Sequence, residues 1–282
     1  MSEGLSTTFQ LLAKTPNEAA VGVLLPALDS PHRRVREEAL RTLLKRRSST
    51  GHRAVLRRLH DLDTRDKEII RENTGRMTVT LRNAVLSTDR QTCSNACQAI
   101  LWFHEYDLIA ALITAAEDAS KPNATLAAQT ILKLAELLYR ETSRPKQRKG
   151  RDPRRTRSRV ITSLELTVGR FAQHKRKEFL KAFLILATRE NAALKRVLCD
   201  PYHPVYLAAV DVLKQSERSG INRLLLSFLE DAKAQAAAMG VLARRTDRRF
   251  LRHLLRKIGY EPSERAAHCR VDHLVARRPV AS

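Results

Sequence analysis

The sequence predicts an all-α protein, an α-solenoid of about six to seven antiparallel helical hairpins. Three observations lead there. Apolar residues recur at i, i+4 and i+8, the period of one helix face. Breaks carrying Asp and Pro separate successive apolar stretches, as they do between the two helices of a hairpin. Leu24, Leu28, Pro31, Val35, Ala39, Leu40 and Leu43 also find counterparts 170 residues later in Leu194, Leu198, Pro201, Val205, Ala209, Val210 and Leu213. With 43% hydrophobic residues but only 5% aromatic ones, the core must be filled chiefly by Leu and Ala.

Along the chain, residues 1–20 read as a lead-in helix or tail. The start lacks the basic and long apolar regions of a signal peptide and already carries Glu3. Residues 21–139 read as N-terminal repeats. Their helix stripes are Val35/Ala39/Leu43, Cys93/Cys97/Leu101 and Ala124/Ala128/Leu132, and the stripes Phe179/Phe183/Ala187, Val205/Ala209/Leu213 and Ala234/Ala238/Leu242 follow in a second set over 159–259. Successive stripes start 58, 31, 55, 26 and 29 residues apart. The short intervals set a unit of roughly 30 residues. The first long interval leaves room for a degenerate repeat between His52 and Met77. The second contains Arg140–Arg159, which has no apolar residue beyond two prolines, so residues 140–158 read as a basic flexible arm. Residues 260–282 read as a capping helix, begun by Ser263, and a tail.

The segments DSPHRRVREEALRTL and DPYHPVYLAAVDVL, Asp29–Leu43 and Asp200–Leu213, resemble the inter-helix turn and second helix of HEAT repeats. Val35, Arg36, Ala39 and Leu40 fit the Val-Arg-x-x-Ala-Leu pattern, whereas the second copy has Tyr206 at the Arg position. The resemblance covers most of residues 20–258. It implies a scaffold that grips protein or nucleic acid on a curved surface, and it implies no reaction.

The formal charge of +22 is concentrated in three segments. Residues 33–58 carry ten basic and two acidic side chains, residues 140–159 the same numbers, and residues 244–282 eleven and four; the remainder is nearly neutral. Localised Arg and Lys displace counterions from a nucleic-acid backbone and give salt-sensitive affinity. The candidate contacts are Arg33, Arg34, Arg36, Arg41, Arg46 and Arg47 in the first segment. Arg144, Lys146, Arg148, Lys149, Arg151, Arg154, Arg155 and Arg157 supply the second, and Arg248, Arg249, Arg252 and Arg256 the third. Exposed Arg holds phosphate bidentately, but a solvated face or a structural pair, such as Arg36 with Asp29 or Glu37, is the better account of any single residue in the first segment. The third segment places Phe250, Leu251, Leu254, Leu255 and Ile258 on one face. It therefore also reads as a membrane-surface or calmodulin-like target, although a repeat-packing helix explains its position better.

The expected partners are nucleic acid or an acidic protein surface, with room for a protein partner on a concave face. A protein-interaction scaffold with no nucleic-acid role is the competing reading. No Gly-rich phosphate loop, His-Glu-x-x-His pair or Gly-x-Ser-x-Gly elbow is present, so no catalytic residue and no cofactor are expected. Cys93 and Cys97 share a helix face but sit at core positions of the repeat, while His268, Cys269 and His273 lack an evident fourth ligand; no metal is expected. The four cysteines form no disulfide framework, and the reading is a reducing, cytoplasmic setting without a membrane span. One enzymatic alternative comes from the resemblance: alkylpurine DNA glycosylases built of HEAT-like repeats use Trp, Asp and Arg on a basic concave surface. Here Trp102 and Asp107 would take those roles, unless Trp102, Phe103 and Tyr106 merely pack between helices.

Overall fold

The computed structural model describes residues 3–73, 75–143, 152–230 and 236–258. Among them every regular element is helical and no strand occurs. Contacts divide the chain into two units, Met1–Thr130 and Ile131–Ser282.

In the first unit, short polar caps set the helix starts. α1 (Glu3–Lys14) and α2 (Ala19–Ala27) precede α3 (Arg33–Arg46), which ends with Arg47 in the left-handed region at φ 55°. α4 (Ser49–Arg57) begins at Ser48, whose hydroxyl accepts from the Gly51 amide at 3.2 Å. α5 (Thr64–Glu72) opens on a capping box in which the Asp63 and Asp66 side chains each accept from the other's backbone amide. α6 (Thr78–Val85), α7 (Arg90–Phe103, capped by Asp89), a 3-10 turn at Tyr106–Leu108, α8 (Ile109–Glu117) and the start of α9 (Ala124–Ser143) complete it. α1, α3 and α5 touch in succession, as do α2, α4, α6 and α8, while α2 with α3 and α3 with α4 join the two rows and α7 packs on α4 and α6. Ala39, Leu43, Cys93, Cys97, Ala124 and Ala128 are all buried, so the apolar stripes point inward. The 58-residue interval holds α4 and α5, and α5 buries Ile69 and Ile70.

The second unit contains the rest of α9, then α10 (Pro153–Gly169), α11 (Phe171–His174), α12 (Lys177–Leu186), α13 (Ala192–Cys199), α14 (Tyr206–Gln215), α15 (Ser219–Ser227), a 3-10 turn at Phe228–Glu230, α16 (Ala236–Arg244) and α17 (Arg248–Ile258). α12 packs on α10, α14 and α15; α16 packs on α13 and α14; α17 packs on α15. Two large apolar anchors are Phe179 and Phe183 of α12, each 1% exposed.

This unit corrects the expected arm at 140–158. α9 continues to Ser143, and α10 starts at Pro153 behind an Asp152 cap that accepts from the Arg154 amide at 2.9 Å. Proline at the first helical position sacrifices no intrahelical bond and has the helical φ already. The 55-residue interval is filled by a helix whose own stripe, Val160/Leu164/Val168, is buried. Only residues 144–151 of the expected arm lie outside the described residues.

A recurring contact ties several helix ends to a side chain some 29 to 39 residues away in sequence. A helix leaves its last carbonyls unpaired, and buried ones must find donors. Arg46 donates to the carbonyls of Leu12, Thr15 (2.6 Å) and Asn17 (2.8 Å) beyond α1. The Asn95 amide serves Leu56 at 3.0 Å, and Asn123 serves Ser87 at 3.0 Å. In the second unit Arg157 donates to the Leu186 and Ala187 carbonyls, Arg189 to Ser227 at 2.9 Å, and Arg245 to Leu213 and Ser216 at 3.1 and 2.8 Å.

Candidate functional site

The structure sorts the eighteen candidate cations by what already holds them. In the first segment Arg33 lies 2.9 Å from Glu37, and Arg41 bridges Glu38 at 2.6 Å and Glu37 at 3.4 Å. Arg36 pairs with neither Asp29 nor Glu37. It donates instead to the Ser30 and Pro31 carbonyls at 2.8 and 3.2 Å, and Asp29 takes Arg58 at 2.8 Å. Arg46, a candidate nucleic-acid contact, is the clamp on the end of α1. Arg34 and Arg47 are exposed and have no ion pair among the described residues.

In the second segment Arg157 is not a free cation either. Its guanidinium lies half-buried against the end of α12, and burial first, then the neighbouring Arg223 charge, pull it below the ordinary arginine value. Arg154 and Arg155 are exposed on the first turn of α10. Arg144, Lys146, Arg148, Lys149 and Arg151 lie outside the described residues. On α17, Arg248, Arg252 and Arg256 are exposed, with Arg252 donating to the Arg248 carbonyl at 3.4 Å, while the Arg249 side chain lies outside the description. Phe250 and Leu254 are buried, but Leu255, expected on the same face, is 54% exposed, because a residue five positions beyond Phe250 has turned well past the stripe. Ser263, His268, Cys269 and His273 fall outside the described residues.

The larger concentration of cations was missed from sequence. In the second unit a concavity of about 570 Å³ is bounded by the C-terminal half of α9, by α12 and by the turn between α14 and α15. Arg140, Lys177, Lys181 and Arg218 line it, with Glu136, Asp211 and Glu217. Lys177 pairs with Asp211 at 3.0 Å and Arg218 with Glu136. Arg140 and Lys181 have no ion pair among the described residues. A second recess of about 190 Å³ adjoins it, sharing Tyr139, Ile185 and Gly220, and is lined by Arg157, Arg189 and Arg223. Arg140 and Arg157 belong to the basic segment 140–159, whereas Lys177, Lys181, Arg189, Arg218 and Arg223 lie scattered over near-neutral sequence where no run of charge betrays them. The available signal was the pair Lys177/Lys181, one turn apart and flanking the Phe179/Phe183 stripe.

Such a surface can bind anions. Trp102 is 37% exposed, but the Lys67 ammonium sits 4.3 Å above its ring, so the indole face is already covered by a cation. Phe103 and Tyr106 are buried as expected of packing residues, whereas Trp102 is at the surface. Glu105 is 2% exposed and accepts from the Gly75 amide at 2.8 Å, while Asp107 is exposed. Cys93 and Cys97 are unbridged core thiols, and the Cys97 neighbour together with burial pushes the Cys93 thiol up, away from the thiolate a metal needs. Among the described residues no group of three or more His, Cys, Asp or Glu is placed to hold a metal ion. No helix among them is long and apolar enough to cross a membrane.

Comparison with protein-family models finds no match, and no curated protein is significantly similar to the chain. The fold defines an all-α protein of successively packed helices.

Proposed function

We propose that the chain is a non-enzymatic, HEAT-like α-solenoid scaffold that binds nucleic acid through Arg-rich surfaces. The alternating rows of helices in the first unit and the clamps spanning about one repeat support the solenoid reading. One observation carries the binding role. After the arginines committed to carbonyls and carboxylates are set aside, Arg34 and Arg47 in the first unit and Arg154, Arg155 and Arg256 in the second remain exposed without an ion pair among the described residues. Solvated cations of this kind are available to phosphate and give up little on binding it. A setting inside the cytoplasm and the absence of catalysis belong to the same proposal.

The test is retention of labelled oligonucleotides across a salt series. Affinity for duplex DNA falls with a log-log slope near −0.9 per neutralised phosphate if the reading holds. No retention of duplex or single strand by micromolar protein at low salt removes it. A protein-interaction scaffold is the second reading, favoured by Tyr202 and Leu207, which are 95% and 77% exposed near the start of α14. A pull-down from lysate with and without nuclease separates the two, since a direct protein partner survives digestion.

A further inference from the structure

The cations of the second unit's concavity are brought together by backbone proximity. At Gly220, α15 approaches α12 so closely that an added Cβ would lie 2.7 Å from the Ile185 carbonyl oxygen. Gly220 and Ile185 thus form the common floor of the two recesses, with Tyr139 shared between them. On one side stand Arg140 and Lys181, unpaired among the described residues. On the other stand Arg157 and Arg223.

The smaller recess is the more telling. Arg157 is anchored by the Leu186 carbonyl at 2.8 Å, and Arg223 lies 5.9 Å from the Tyr139 ring centre, so these guanidinium groups are held near one another. The carboxylate at this recess, Glu190, is 65% exposed and already engaged by Arg189 at 2.8 Å and Lys195 at 3.5 Å. Like charges held in a partly dehydrated hollow repel, and an anion lodged between them converts that repulsion into charge-assisted hydrogen bonds. A recess of about 190 Å³ accommodates a phosphate with part of its sugar; the adjoining one takes the next nucleotide.

We propose that the two recesses form one seat for the phosphodiester backbone of single-stranded nucleic acid, with Lys181 and Arg140 contacting one phosphate and Arg223 another, while Arg157 adds its charge from its clamp on the end of α12. The proposal rests on the nucleic-acid reading above and names its site. Two hollows favour a flexible strand, which can bend its phosphates inward, over a duplex, whose phosphates lie on a stiff convex surface.

Fluorescence anisotropy with labelled dT15 tests it on the full chain. Lys181→Gln combined with Arg223→Gln removes charges that clamp no helix end. It is expected to weaken dT15 binding at least tenfold and to flatten the log-log salt slope by about 1.4, two phosphates at roughly 0.7 each. Arg82→Gln with Arg90→Gln removes the same charge from exposed positions of the first unit and is the control. If the wild-type chain binds dT15 and the two double variants behave alike, the seat is overturned while the nucleic-acid reading stands. If the wild-type chain binds neither dT15 nor duplex, both fall. Displacement of dT15 by a phosphoserine peptide or by a duplex at equal concentration overturns the single-strand assignment. Hydrogen exchange on the wild-type chain covers the case of a misfolded variant: dT15 should protect residues 177–185 and 218–227, and protection confined to other segments overturns the seat.

Discussion

The α3–α4 region and the concavity of the second unit contain the same kind of side chain in different electrostatic situations. Around α3 four arginines are spent within the fold, Arg33 and Arg41 on Glu37 and Glu38, Arg36 on the turn before the helix and Arg46 on the end of α1, while Arg34 and Arg47 stay exposed. In the recess adjoining the concavity, Arg157 and Arg223 share one lining, and burial first and the Arg223 charge second lower the Arg157 proton affinity. Both regions keep unpaired cations among the described residues, Arg34 and Arg47 around α3 and Arg140 and Lys181 in the concavity, beside others that the fold has used. What counts is the charge left after the fold has used its share.

The sharpest way to break this distinction is to remove arginines that the fold uses. Arg245 is 3% exposed, donates to two carbonyls beyond α14 and pairs with Asp247 at 2.6 Å. Arg245→Ala should destabilise by about 3 kcal/mol in urea unfolding, since two carbonyls and a carboxylate lose their donor together. Arg46→Ala should cost about 2 kcal/mol by the same reasoning, with its carbonyl partners nearer to water. Neither change should alter the oligonucleotide salt slope measured under folding conditions. A shift of that slope without loss of stability would show that these are binding residues after all.

Gly220→Ala tests the geometry on the other side of the comparison. The new methyl meets backbone at Ile185, which cannot swing aside as a side chain would, so α12 and α15 must part at a cost of about 2 kcal/mol. An unchanged urea midpoint would show that the close approach is absent in solution.

Freeing charge is the complementary experiment. Glu37→Gln with Glu38→Gln releases Arg33 and Arg41, and should steepen the duplex-DNA salt slope by up to about 1.8 units, 0.9 per phosphate gained. No change in slope would leave the α3 region a purely structural face.

The smallest effect concerns pH. Burial lowers the His52 pKa below the ordinary 6.5, against the raising influence of the Leu44 carbonyl, so the unfolded chain binds this proton more tightly than the folded one. The stability contributed by neutral His52 is therefore complete above the unfolded value and is lost as pH falls from there toward the depressed folded value. The urea midpoint should drop between pH 7 and 5, and His52→Gln should reduce that drop. An equal drop in the variant would exclude His52 as its source.

Much of the fold was legible because its signals are local. The stripes Val205/Ala209/Leu213 and Phe179/Phe183/Ala187 are buried where a period of four residues places them, and the Asp-Pro breaks fall between helices. The expected arm was misjudged for a local reason too: high charge hid a capped helix start, Asp152-Pro153, and a stripe at Val160/Leu164/Val168 that begins after the last arginines. The fate of individual cations was less legible. Arg46 and Arg47 are adjacent, yet one clamps α1 and the other is exposed, because a left-handed residue ends the helix between their roles.

The sequence by itself determined the helical class and most of the inward-facing residues, since these follow from hydrophobic period and capping chemistry within a few turns of chain. Tertiary structure alone decided which positive charges are free. A guanidinium is satisfied or left available by carbonyls and carboxylates about 30 residues away, and only the packing of one helix on another brings those groups within hydrogen-bond reach.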